Sequence, residues 1–283
     1  MVLEQAGGVA VRLGTPTSYS ERLTVVDLDG LRAAYDAQMR MPTLAGVIHE
    51  FDGPLRRSVG GHVGRIRAPR DLGVGGAELD RLIARQRDFF RDRGQGVEWK
   101  RAGHDLPPEL PERLVAAGFV AAEPSAVLLG FAAELAASPV LPDGVTLRRV
   151  SAEEDLRRIA DHQTAVWGFD CSWVADLLIG QVAAAPDRIS ILVAEADRRF
   201  VCTAWSGYEP GTEFVALLGG TTVPEWRGRG IYRAMIAARA QEAVERGFRL
   251  LHVDASPDSA PILRRCGFHQ ITTSTHFHWT PPQ

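Results

Sequence analysis

The chain has 283 residues, about two domains' worth, and its 45% hydrophobic and 24% charged residues make a globular rather than a disordered composition. With 28 glycines and 17 prolines it is neither collagen-like nor low in complexity, and a formal net charge of −3 argues against a nucleic-acid coat or a polybasic membrane binder. No apolar run approaches the roughly 18 residues that span a bilayer, and residues 1–14 lack the basic flank and apolar core of a signal peptide.

In chain order, residues 77–93 have apolar positions at helical spacing, and 94–100 read as a strand. A short helix, LPERLVAA, then leads to Gly118-Phe119. The stretch AASPVLPDG, within residues 136–145, sets two prolines and a glycine between patterned segments and divides the chain into 1–140 and 141–283. Beyond it, 146–150 is a short strand. Ser151 before Glu153 and Glu154 reads as an N-cap with an acidic first turn, opening a helix to about Trp167. A second helix covers 173–185. Residues 189–195 and 199–208, apolar and β-branched around Asp197, form a hairpin, and 214–223 is a further strand. A helix over 231–246 and a strand over 250–255 follow, and 270–279, rich in threonine and aromatics, supplies the last strand or two.

The order helix, strand, helix, Gly-Phe, strand thus occurs twice, ending at Gly118-Phe119 and again at Gly267-Phe268. The expected fold class is α/β, with two tandem halves, each a central mixed sheet flanked by helices. Three cysteines, Cys171, Cys202 and Cys266, are too few and too scattered for a disulfide framework and fit a reducing cytoplasm. Lys100 is the only lysine among 32 basic residues, a skew that genome composition explains as well as function does.

The chemically informative stretch runs from Gly219 to Arg233. A buried strand ends, and Gly228 and Gly230 open an amphipathic helix whose first-turn amides are unpaired and carry partial positive charge. Glycine admits a bulky anion to those amides, and Arg227, Arg229 and Arg233 add charge around them. A Walker loop is a weak reading for want of lysine, and so is a dinucleotide fingerprint, because Arg233 stands at the third glycine.

Arg227, Gly228, Arg229, Gly230 and Ile231 closely resemble the Arg-x-x-Gly-x-Gly/Ala signature of the GNAT superfamily of N-acyltransferases, with Tyr232 where Gly or Ala is usual. The segment from Ala255 to Gly267-Phe268 is similar to the family's second signature, and the resemblance covers residues 146–283. It implies acetyl-CoA as cosubstrate. Main-chain groups of Thr221, Thr222 and Val223 would lie along the pantetheine and the acetyl carbonyl, which an N–H near Thr222 would polarise, with residues 227–232 on the pyrophosphate and Ser259 nearby. An amine, on a small molecule or a peptide, would attack the thioester directly. Val74-Gly75-Gly76-Ala77 falls at the corresponding place in the first half without the arginine, so that half resembles a degenerate GNAT copy.

An alkylammonium near pKa 10 must lose a proton before attack. His252 and Asp254 share one strand face and are candidates for the base, although an edge polar pair or a core histidine explains them equally; Glu225 is a third. The family's usual acid, a tyrosine on the last helix, is replaced by Leu263, leaving Tyr232 or Ser259. No metal is expected: His276 and His278 share a strand face without a carboxylate or cysteine cluster. Trp167, Phe169 and Trp173 line an acceptor pocket or pack in the core. Glu98-Trp99-Lys100 and His104-Asp105 form an interface cluster, or merely a strand end and a helix cap. The alternatives to an N-acetyltransferase are an acyl-CoA-binding regulatory module without turnover and a transferase of a larger acyl group.

Overall fold

In the helix Gly76–Arg91, Leu79, Leu82, Ile83, Gln86 and Phe90 fall on one stripe and are buried. The computed structural model describes residues 26–43 and 45–282, so the opening residues, where no signal peptide is expected, lie outside the described residues. The first half consists of α1 (Leu28–Gln38), β1 (Ile48–Asp52), β2 (Leu55–Val59), β3 (Gly64–Arg67), α2 (Gly76–Arg91), β4 (Val97–Ala102), α3 (Leu110–Ala116), β5 (Val120–Ala121), β6 (Ser125–Phe131) and α4 (Ala132–Leu135). The second half consists of β7 (Thr146–Arg149), α5 (Glu153–Trp167), α6 (Trp173–Ala184), β8 (Ile189–Ala196), β9 (Arg199–Tyr208), β10 (Phe214–Thr222), α7 (Ile231–Glu245), β11 (Leu250–Ala255), α8 (Ala260–Arg265) and β12 (His269–Trp279).

Local chemistry accounts for most of these elements. The β8–β9 hairpin turns at Asp197 and Arg198, both at positive φ, the mirror-image turn that matches strand twist. The start of α5 differs from expectation: Ala152 is its N-cap and no side chain caps it, so Ser151 stands one residue too early. Glu153, Glu154 and Asp155 meet the positive helix end instead, with Asp155 gripped by both terminal nitrogens of Arg148. The last segment is one strand with an irregularity between Gln270 and Thr272, not two.

The repeat conceals an exchange. The twelve strands form one mixed sheet in the order β1-β2-β3-β4-β12-β6-β11-β10-β9-β8-β7, with β5 beside β12. Each half therefore receives the other's final strand: β12 pairs with β4, and β6 with β11. Side chains follow the strands. Phe277 and Trp279 of β12 pack with Trp99 and Phe119 in the first half's core, and Leu128 of β6 packs with Leu251 and Leu263 in the second half's. Burying Phe277 or Trp279 stabilises the fold by about 1.5–3 kcal/mol each, and that stabilisation is shared between the halves.

The helices divide between the two faces. α7 and α8 cover one face through Ile236, Ala240 and Leu263 against Val215, Leu217 and Leu251. On the other face α1 packs through Leu31, Tyr35 and Met39, and α5 and α6 pack against β8 and β9.

Candidate active site

β10 and β11 are parallel neighbours only from Phe214 to Ala216, opposite Leu250 to His252; beyond that they diverge. β10 meanwhile stays paired with β9 as far as Thr222, interrupted by a bulge between Leu218 and Thr221. The bulge is built from glycine for a steric reason. A Cβ on Gly219 would fall 1.9 Å from the Trp205 ring, and one on Gly220 would fall 2.8 Å from the Tyr232 ring. Gln163 holds the bulge from below by donating to the Gly219 carbonyl at 2.9 Å.

At the far end of the gap the chain makes a single 3-10 turn, Pro224–Trp226, and enters α7. Gly228 and Gly230 have φ of 75° and 84°, a left-handed backbone that favours glycine, and added Cβ atoms there would touch nothing within 4 Å. α7 has no side-chain N-cap, and its first backbone bond runs from the Ala234 N–H to the Gly230 carbonyl. The amides just before it face an open mouth that suits an oxyanion. Arg227 is fixed there by its Nε, which donates to the Thr222 carbonyl at 3.1 Å, and Arg229 lies over the Trp226 ring. Ile231 is buried beneath the mouth.

The three strand residues expected along the cofactor are not equivalent. The Val223 N–H is already bonded to the Val201 carbonyl at 3.1 Å. Bonds alternate along an antiparallel pair, so Thr222, opposite Cys202, turns its N–H into the gap, while Thr221 directs its carbonyl to His162 Nε2 at 3.0 Å. The β10–β11 register ends at Ala216 opposite His252, and Thr222 lies six residues further along β10, beyond the bulge. The bulge at Gly219 and Gly220 lies between that last paired residue and Thr222.

His252 and Asp254 project to the face opposite α7, into a cavity of 380 Å³ between the halves. α1 and the turn that follows it supply Tyr35, Met39 and Arg40 to it, α6 supplies Trp173 and Leu177, and β3 and β4 supply Arg65, Arg67, Glu98 and Lys100. His252 Nε2 lies 3.3 Å from Asp254 Oδ1, and the other carboxylate oxygen accepts a short bond from Lys100 Nζ, 3.5 Å from the Tyr35 hydroxyl. Burial favours the neutral form of Asp254, but the Lys100 ammonium and the His252 bond outweigh it and hold the carboxyl well below its usual range. Burial likewise disfavours the charged form of Lys100, and Asp254 reverses the balance, raising the ammonium pKa. An ionised Asp254 only accepts, so His252 Nε2 carries the hydrogen, and Nδ1 is buried without a partner among the described residues.

The remaining expected residues fall into place less uniformly. Tyr232 packs over Gly220 beside the bulge, and burial, partly offset by Arg239, raises its phenol pKa, so it is protonated at neutral pH. Ser259 spends its hydroxyl on Ser256, 3.1 Å from that hydroxyl and 3.3 Å from the carbonyl, and Leu263 is fully buried in the core. Glu225 is exposed in the turn before α7. Of the three aromatics, Trp173 lines the cavity and stacks on His62 at 5.3 Å, while Trp167 and Phe169 are exposed and belong to neither pocket nor core. His276 Nδ1 bonds Glu98 at 3.0 Å, and no group of three or more His, Cys, Asp or Glu side chains is placed to hold a metal among the described residues.

Sequence reasoning missed Arg65, and offered Glu98 and Lys100 only as an interface cluster or a strand end, without tying them to His252 and Asp254. The available signal was the solitary lysine, alternating with Glu98 around the fully buried Trp99. His104 and Asp105 do join elements: His104 reaches Asp36 of α1 at 2.9 Å and Thr272 of β12 at 2.8 Å.

No protein-family model matches the sequence, and no curated protein is similar to it. Solved structures are similar in fold. A GCN5-related N-acetyltransferase from Kribbella flavida superposes with a TM-score of 0.62 at 19% identity, covering 90% of this chain and 95% of that one. One from Sphaerobacter thermophilus gives 0.60 at 17% identity, over 81% and 78% of the two chains. A tandem GNAT protein from the clavulanic acid biosynthesis pathway gives 0.56 at 15% identity, over 81% and 79%. At these identities the likeness is one of fold: the chain has the GNAT fold in its tandem form.

Proposed function

We propose that the chain is an acetyl-CoA-dependent N-acetyltransferase that transfers an acetyl group to a primary amine by direct attack while both substrates are bound. One observation carries the reading: the gap between β10 and β11 has an open, amide-lined helix mouth at one end, and a histidine–carboxylate pair facing a cavity at the other. Acetyl-CoA supplies the activated thioester. The amides leading into α7, with Arg227 and Arg229 beside them, hold its pyrophosphate, and Thr222 offers its N–H to the pantetheine. The bulge main chain at Gly219 and Gly220 polarises the carbonyl. Asp254 receives the substrate ammonium and orients His252, whose Nδ1 takes the proton that the ammonium loses before its nitrogen attacks, while the second proton, released as the N–C bond forms, replaces the one given to the thiolate. Tyr232 protonates the departing thiolate.

The first half binds no acyl carrier in this reading and serves as a wall of the acceptor cavity. Its counterpart mouth at Gly75 lies under Glu109, whose Oε1 would sit 3.4 Å from a Cβ there, so a carboxylate already faces that helix start. Free cysteines, two of them buried, fit a protein of the cytoplasm, and no described helix is long and apolar enough to cross a membrane.

Titration calorimetry with acetyl-CoA tests the proposal. The wild type and Ala77→Glu should bind alike, and Gly230→Glu should not bind, because its carboxylate and bulk enter the open mouth. Gly230→Ala separates backbone strain from that occlusion. Unchanged affinity in Gly230→Glu overturns the reading. The fully buried Leu263, in place of a tyrosine, favours a second reading, a module that binds acyl-CoA without turnover. Release of free thiol in the presence of amines excludes it.

A further inference from the structure

Four of the five lysine and arginine side chains that line the cavity already have carboxylate partners. Arg40 is held by Asp36 and Asp105, Arg67 by Glu98, Lys100 by Asp254 and Arg188 by Glu209. Arg65 is the exception. Its guanidinium lines the same cavity, half-buried, with no hydrogen bond or ion pair among the described residues. The nearest acid, Glu98, stands across from it in the β3–β4 register but is engaged by Arg67 at 2.9 Å and His276 at 3.0 Å.

A guanidinium withdrawn from water and left unpaired is costly, and a planar fork of five donors matches a carboxylate or a phosphate. Burial presses the Arg65 pKa down and the Glu98 charge offsets part of that, so the site gains most from an added anion. Lys100 and Glu98 are two residues apart on β4, about 7 Å along the strand, and neighbouring strands are ~4.8 Å apart. The side chains of Arg65 and Asp254, which meets Lys100, are therefore within the span of one small molecule.

Resting on the acetyltransferase reading above, we infer that the acceptor is an amine that also carries an oxyanion, and that Arg65 of the first half binds this group while Asp254 receives the ammonium. The first half would then contribute specificity to a reaction performed by the second.

Matched acceptor pairs test this in the full chain: β-alanine and 4-aminobutyrate against their amides, and phosphoethanolamine against ethanolamine, each followed by thiol release from acetyl-CoA and by calorimetric binding. The anionic member should be favoured in kcat/KM or affinity by about 10–100-fold, the scale of one charge-assisted pair. The carboxylate and phosphate arms separate the two sources of oxyanion. Arg65→Met should erase the preference through KM, and Arg65→Lys should keep part of it, both with acetyl-CoA affinity unchanged as proof of an intact fold. No preference for the anionic members, or a preference that survives Arg65→Met, overturns the inference. Failure of acetyl-CoA itself to bind overturns the parent reading instead.

Discussion

Lys100 and Asp254 form an ion pair across the seam between the halves, although β12 and β6 lie between their strands. Three strand spacings are ~14 Å in a flat sheet, so contact between the two side chains requires the sheet to curl around the cavity they line. Asp254 is thus placed by its own strand and charged by the other half.

Lys100→Met should be strongly destabilising, because it leaves a buried carboxylate without its counterion, by about 3–5 kcal/mol. The double variant Lys100→Met/Asp254→Leu should recover much of the loss, since no unpaired charge remains. Urea denaturation of both singles and the double measures the coupling; additive effects would show that the pair does not act as a unit.

The pair also fixes a pH dependence. Asp254 has a folded pKa below its unfolded value, so it binds fewer protons folded than unfolded; its contribution is present above the unfolded value near 3.9 and is lost as pH falls through the lower folded one. Lys100 shifts the other way, and its contribution is present below about 10.4 and lost as pH rises through the higher folded value. Denaturation midpoints between pH 6 and pH 2 should fall more steeply for the wild type than for Asp254→Asn.

The glycine-opened start of α7 and the strand–helix order along the chain were legible because they rest on local rules, such as the glycines at 228 and 230 and helical or alternating spacing. The strand exchange was not. Residues 125–131 and 269–279 carry the same apolar alternation whether each completes its own half or the other, so nothing local distinguishes the partners. Arg65 was hidden for the same reason, and Glu98 and Lys100 could be read only as an interface cluster or a strand end, since their meaning depends on which strands lie opposite.

Tyr232→Phe should slow turnover modestly while leaving acetyl-CoA affinity unchanged. A thiol of pKa about 8.5 departs tolerably as thiolate, so losing the acid should cost ~10-fold rather than the 10²–10⁴ of a strict acid–base role. Steady-state thiol release together with calorimetry separates the two quantities. A fall in affinity without a fall in kcat would make Tyr232 only the cover of Gly220 that its packing describes.

His252→Gln tests the proposed base. Glutamine keeps a donor toward Asp254, so the carboxylate retains a partner besides Lys100, while the lone pair at Nδ1 is lost. At neutral pH kcat should fall by about 10²–10⁴. The loss should shrink as pH rises, since the enzyme then depends on amine that is already neutral, a fraction growing ~10-fold per unit up to an alkylamine pKa near 10.4. Wild-type kcat should lack that steep rise, because Nδ1 removes the proton within the bound complex. Parallel pH profiles for the two proteins would mean that the amine loses its proton in solution before binding, leaving His252 to hold Asp254 and nothing more.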